Sequence, residues 1–150
     1  MFATQCLAAN PEVHDALTAD EAASCEFSAQ TMHWLATYRD QRATQERAVE
    51  RYMTEARSAK VADLEMEKGM RAAVMRRAAF VYAMASFSPV TFDHFEFSVC
   101  KMGMLKHWHP DFGKAELITQ EVESCQAQFK DGSSTEFAAC VDKVVFKFHR

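Results

Sequence analysis

Turn-forming residues are scarce in this chain of 150 residues, which holds four glycines and three prolines. A sheet-rich domain needs such residues at its many reversals, so their scarcity argues against β architecture. Long apolar runs are missing too. The longest candidate, Ala78 to Ser88, is interrupted by small and polar residues and falls short of the roughly 18 consecutive apolar residues of a membrane span. Positive charge is not in excess. A net charge of −4 argues against nucleic acid as the main partner, because phosphate binding needs a concentrated positive surface. Arg71, Arg76 and Arg77 form the one basic cluster and read as the solvated face of a helix.

Reaction signatures are equally lacking. There is no phosphate loop, no nucleophile elbow and no His-Glu-x-x-His zinc motif. Glu65 and Glu67 fall on faces expected to be solvated, and Cys100 with His94 or His33 would be a thiol–imidazole pair without a supporting signature. Catalytic residues and cofactors are therefore expected to be none. The N-terminus, Met1-Phe2-Ala3-Thr4-Gln5-Cys6, lacks the basic and apolar regions of a signal peptide. A cytosolic protein and a mature exported chain both remain open.

What the chain does contain is abundant alanine, glutamate, methionine, lysine and arginine, all good helix formers. Its length suits one domain with a real core. The expected fold is an all-α, single-domain bundle of five to six helices over residues 1–150, stapled by disulfides, with 1–17 a loosely ordered N-terminal segment. Thr18 and Glu21 form a capping box that opens a first helix. Its stripe is Cys25, Ala29, Met32 and Ala36, widened by Phe27, Trp34 and Tyr38, and it ends in the polar stretch Arg39 to Arg42. A second helix is expected from Thr44 to Lys68, carrying Val49, Tyr52, Met53 and Ala56 and weakening beyond Arg57 to Val61 and Leu64. A third runs from Gly69 to Phe87 through Met70, Val74, Ala78, Val81 and Ala85, and is stopped by Ser88-Pro89. Thr91 is expected to cap a fourth, with Phe92, Phe95, Val99 and Met102 as its stripe.

After the loop His107 to Gly113, residues 114–149 read as a helical hairpin turning at Asp131-Gly132. One arm carries Ile118, Val122, Cys125 and Phe129. Ser133 with Glu136 forms a second capping box for the other arm, which carries Phe137, Cys140 or Val141, Val144 and Phe148. Cys125 and Cys140 lie at nearly matched heights on either side of the bend. Such a hairpin brings two α-carbons within disulfide reach, whereas unoxidised they would be two small core hydrophobes. Cys25 and Cys100 fall on the apolar faces of the first and fourth helices, where a long-range bridge and free thiols are equally compatible with the sequence. Cys6 is left over.

One stretch is rich in ligand-type residues. On a helix, Cys100, Met104 and His107 share a face. Thiolate, thioether and imidazole suit Cu(I), and with His109 and Asp111 the set suits Zn(II). Methionine at helical spacing is more commonly core filler, and histidines near a helix C-terminus interact favourably with its dipole. A Cys100 sulfur already bonded to Cys25 would have no thiolate to offer.

The segment from Cys25 to Cys100 resembles a loose group of small exported proteobacterial helical proteins, mostly without assigned function. The likeness is carried by Cys25, Tyr38-Arg39-Asp40-Gln41, Val81-Tyr82, Ser88-Pro89 and Cys100. The second helix is longer here, the usual glycine at the first turn is missing, and the C-terminal hairpin lies outside the likeness. The resemblance implies export and a Cys25–Cys100 bridge, and no activity. Composition and resemblance together lead to the expectation of a non-catalytic protein-binding module of the bacterial envelope, periplasmic or secreted, of an inhibitor or immunity type. Its partner would be another protein. The alternatives are a periplasmic copper or zinc binder using Cys100, Met104, His107 and His109, and a reduced cytosolic helical adaptor or regulator.

Overall fold

The structure is a computed structural model that describes residues 16–56, 64–106, 110–130 and 134–148. Within them run α1 (Ala19–Asp40), α2 (Gln45–Arg51, continued by a π turn over Tyr52–Ala56), α3 (Leu64–Ala83), α4 (Pro89–Lys106), α5 (Ala115–Gln128, preceded by a 3-10 turn over Phe112–Lys114) and α6 (Thr135–Lys147). There is no strand among the described residues, and the buried side chains of all six helices form one continuous core. The expected all-α bundle is the fold observed. Cys6, the segment up to residue 15, Arg57, Val61, His107, His109, Asp131-Gly132 and Ser133 lie outside the described residues.

Four of the helices, α1, α2, α4 and α6, begin where a Thr or Ser side chain satisfies a free amide of the first turn. Thr18 caps α1 in a full capping box: its Oγ1 accepts from the Glu21 amide, and the Glu21 carboxylate accepts from the Thr18 amide at 2.8 Å. The Thr18 amide and, at 2.9 Å, the Thr18 hydroxyl both donate to that carboxylate and hold it below its ordinary pKa. The far end of α1 closes as a Schellman motif, with the Ala43 amide donating to the Tyr38 carbonyl and the Arg42 amide to that of Arg39. Arg42 itself sits at φ 65°, the left-handed position usually given to glycine.

Four boundaries differ from the sequence reading. Leu64 to Lys68 belong to α3 rather than α2, so Gly69 lies inside a helix on an open surface instead of starting one. α3 ends at Ala83, earlier than Phe87, leaving Ala85 exposed in the turn. Ser88, not Thr91, caps α4: Ser88 Oγ accepts from the Thr91 amide at 3.1 Å. Proline at the first helical position costs nothing because its missing N–H would be unpaired there anyway. The cap of α6 is Ser134, whose Oγ accepts from the Phe137 amide.

α1 packs most extensively on α4, with α3 on its flank and α2 against α3, while α6 covers α4 and pairs with α5. Most of the predicted stripes are buried, among them Cys25, Ala29, Met32 and Ala36 of α1 and Phe137, Val141, Val144 and Phe148 of α6. The centre is aromatic: Phe87 meets Phe92 and Phe95 at centroid distances of 5.4 and 5.8 Å, and Phe80 stacks on Phe95. The two arms of the C-terminal hairpin meet as expected, with Phe129 and Phe137 in edge contact.

Cysteine sulfurs sit at bonding distance in two pairs. Cys25 and Cys100 join α1 to α4, and Cys125 and Cys140 join α5 to α6, with α-carbons 5.5 and 5.9 Å apart respectively.

A glutamine with no visible role in the sequence fastens the α3–α4 turn. Gln126 Oε1 accepts from the Ser88 amide at 2.9 Å and from the buried Thr91 hydroxyl at 2.5 Å, while its Nε2 donates to the Ser86 carbonyl. Truncating Gln126→Ala leaves those polar groups without this partner. The expected cost is about 2 kcal/mol, read by denaturant unfolding, and Gln126→Glu is expected to recover only part of it because the donor to Ser86 is lost.

Candidate functional site

The surface where α1 and α4 run side by side carries the most distinctive side chains of the molecule. Helical spacing places Phe27, Gln30 and Trp34 on one ridge of α1. Phe27 is 54% and Trp34 43% exposed, although sequence reasoning had placed both on the apolar face. Tyr38, from the same expected stripe, is buried, and its ring lies 5.9 Å from that of Trp34. The difference comes from the helix itself. Phe27 and Trp34 stand beyond the edge of the arc that α3 and α4 cover.

Beside this ridge two shallow grooves of about 320 and 230 Å³ open between the helices, the first lined by Glu26, Gln30, Asp93, His94 and Phe97, the second by Gln30, His33, Trp34 and Asp93. The second groove is lined by a pair: His33 Nδ1 lies 2.6 Å from Asp93 Oδ2, both side chains about one-third exposed, and Asp93 lines the first groove as well. Burial pushes the Asp93 carboxyl above its ordinary pKa, while the facing His33 and, more weakly, His94 pull it back. His94 also sets its ring edge-on to Phe137 of α6 at 5.2 Å.

A second polar junction lies deeper. Ser28 of α1 donates to Glu96 Oε1 of α4 at 2.5 Å and accepts from Arg77 Nη2 of α3 at 2.8 Å. Arg77 is therefore not a member of a solvated basic face, as the sequence suggested; it ties three helices together. Arg71 is likewise engaged, with Glu50. Arg76 alone of the three matches the expectation of solvent exposure.

Of the ligand-rich stretch, Cys100 and Met104 lie within the described residues, and His107 and His109 lie outside them. Cys100 is bonded to Cys25, and Met104 Sδ rests 3.8 Å from Cys25 Sγ. With the thiol oxidised, that approach is a sulfur–sulfur packing contact, and neither cysteine has a thiolate for copper or zinc. Among the described residues, no group of three or more His, Cys, Asp and Glu side chains is placed to hold an ion. The same bridge removes Cys100 as a partner for His33 or His94, and His33 is paired with Asp93 instead. Sequence reasoning missed the His33–Asp93 pair because its members lie 60 residues apart with no shared motif. The aromatic ridge left a usable signal, since Phe27, Gln30 and Trp34 form their own helical stripe offset from Cys25, Ala29 and Met32.

No family model, curated protein or solved structure matches this chain. No helix among the described residues is long and apolar enough to cross a membrane.

Proposed function

We propose that the chain is a non-catalytic protein-binding module of the bacterial envelope, of an inhibitor or immunity type, and that the α1–α4 surface is where its partner docks. The observation that carries this reading is the pair of exposed aromatics, Phe27 and Trp34, beside a groove with acidic walls. Rigid aromatic side chains are the commonest anchors of protein interfaces. Glu26 and the reluctantly ionised Asp93 lack a lysine or arginine in that groove. The fitting partner is therefore a protein that lays apolar surface on the ridge and inserts a basic side chain between these carboxyls. An envelope location is supported by the two cysteine pairs at bonding distance, since disulfides persist in oxidising compartments. It is also what the resemblance of the Cys25–Cys100 segment implies.

A photo-crosslinking residue in place of Trp34 tests the surface, with the same residue in place of exposed Leu117 on α5 as control. In cells that express and export the protein, the expected result is one discrete adduct from position 34, none from position 117, and loss of the adduct in Glu26→Lys. Equal adducts from both positions, or none from either, would overturn the docking assignment. Thiol titration of the denatured, unreduced protein tests the compartment. One reactive thiol, Cys6, is expected; five would favour the reduced cytosolic adaptor.

A further inference from the structure

We infer that the elbow between α1 and α2 is a binding site for a phosphate group, formed by the guanidiniums of Arg42, Arg47 and Arg51. A concavity of about 500 Å³ opens there, and these three arginines line it with Gln41, Thr44 and the single carboxylate Glu55. Such a concentration stands out in a chain whose net charge is −4. Neighbouring carboxylates are engaged elsewhere: Asp40 by Arg39, Glu50 by Arg71, while Glu46 lines the separate groove toward α3.

Arg51 is held ready. Its guanidinium lies over the Tyr38 ring at 4.2 Å, with Nη1 donating to Gln41 Oε1 at 2.9 Å and Nε to Glu55 Oε2 at 3.3 Å. That leaves Nη2 without a protein acceptor among the described residues. Arg42 and Arg47 are exposed and have no acidic partner among the described residues. Arg42 reaches the concavity from the left-handed position that ends α1, where glycine would cost less strain. Arg47 stands in the first turn of α2, the end of a helix that disfavours a cation. Each is thus placed against a local preference, and both line the same concavity as Arg51. A carboxylate offers two oxygens on one edge, whereas a phosphate presents three or four in different directions, enough to meet several guanidiniums at once.

The phosphate can belong to a free anion or to a lipid headgroup. Calorimetric titration of the full, oxidised chain with inorganic phosphate is expected to show saturable binding. Arg47→Gln should weaken it about tenfold, as loss of one charge-assisted contact does. Arg42→Gly should weaken it similarly while leaving the melting temperature unchanged or raised, because glycine fits φ 65° without strain. Arg76→Gln, which removes the same charge from an exposed position on α3, should change affinity less than about twofold. Flotation with phosphatidylglycerol vesicles, against phosphatidylcholine vesicles, separates the sources. Association with the former that phosphate displaces assigns a headgroup, and phosphate binding without association assigns the free anion. Absence of saturable phosphate binding would overturn the site. So would an Arg76→Gln effect equal to that of Arg47→Gln, which would mean that net charge alone is at work.

Discussion

Replacing Cys25 and Cys100 together by alanine is expected to lower the unfolding free energy by about 4 kcal/mol and the melting temperature by roughly 10 °C. The two residues are 75 apart in sequence, so their bond closes a wide loop and removes much of the unfolded chain's freedom. Cys25 is fully buried and the bridge joins the most extensively packed pair of helices. Stability of a whole domain is only about 5 to 15 kcal/mol, so this is one of the largest single effects available to the protein. The alanine pair also loses the packing of Met104 against the bridge, a smaller cost. The two contributions are separable by denaturant unfolding. Release of a crosslink expands the unfolded chain and raises the m-value, whereas a small cavity in the folded state leaves it unchanged. By the same reasoning the Cys125–Cys140 pair, 15 residues apart, is worth about 3 kcal/mol. An unchanged m-value with a melting temperature lowered by only a degree or two would show that Cys25 and Cys100 are not bonded in the folded protein.

Helix class and most of the core were legible because they depend on short-range periodicity. Cys25, Ala29, Met32 and Ala36 repeat at helical spacing and are buried, as are Val74, Ala78 and Val81. The capping box at Thr18 was equally readable, being a contact between residues three apart. Competing signals blurred the boundaries. Ser88 and Thr91 are both good caps, and only the proline between them decides that the helix begins at Pro89. Ser134 caps α6 one residue after the expected Ser133. What could not be read was whatever joins distant segments. Arg77 looked like one of three solvated arginines until Ser28 and Glu96 were brought to it. Gln126 gave no signal of its attachment to Ser86, Ser88 and Thr91. The α1–α4 surface was misread for a related reason. An aromatic residue beside an apolar stripe is ordinarily core, whereas Phe27 and Trp34 lie on a ridge of α1 that remains exposed.

The short motifs behind the resemblance prove to be contacts of the fold. Tyr82, of the Val81-Tyr82 pair, donates its hydroxyl to the Ala43 carbonyl at 2.6 Å and so holds the α1–α2 elbow. Ser88 and Pro89 start α4. Arg39, of the Tyr38-Arg39-Asp40-Gln41 run, reaches across to the carbonyls of Val81, Met84 and Phe87. Tyr82 and Arg39 thus hold the end of α1 to the end of α3.

Arg39 is accordingly the second position where a single change is expected to cost most. Its side chain is 10% exposed, with Nη1 donating to the Val81 and Met84 carbonyls at 3.0 and 3.2 Å and Nη2 to that of Phe87 at 2.7 Å. A cation at this place serves the negative end of the α3 dipole, the Val81 carbonyl in the last turn of α3, and the Met84 and Phe87 carbonyls of the turn that follows. It also lies 5.7 Å from the centre of the Phe92 ring. Arg39→Ala removes a set of charge-assisted bonds in a partly dry setting, and the expected loss is about 3 kcal/mol, measured by denaturant unfolding with both disulfides intact. Arg39→Lys keeps the charge but cannot spread donors over carbonyls that lie in different directions, so it is expected to recover less than half of the loss. The ion pair with Asp40 is the lesser part of the arrangement. Asp40 is 48% exposed, and Asp40→Asn should cost no more than about 0.5 kcal/mol. If Arg39→Ala is no more harmful than Asp40→Asn, water serves those carbonyls as well as the guanidinium does, and the end of α3 is not held by Arg39.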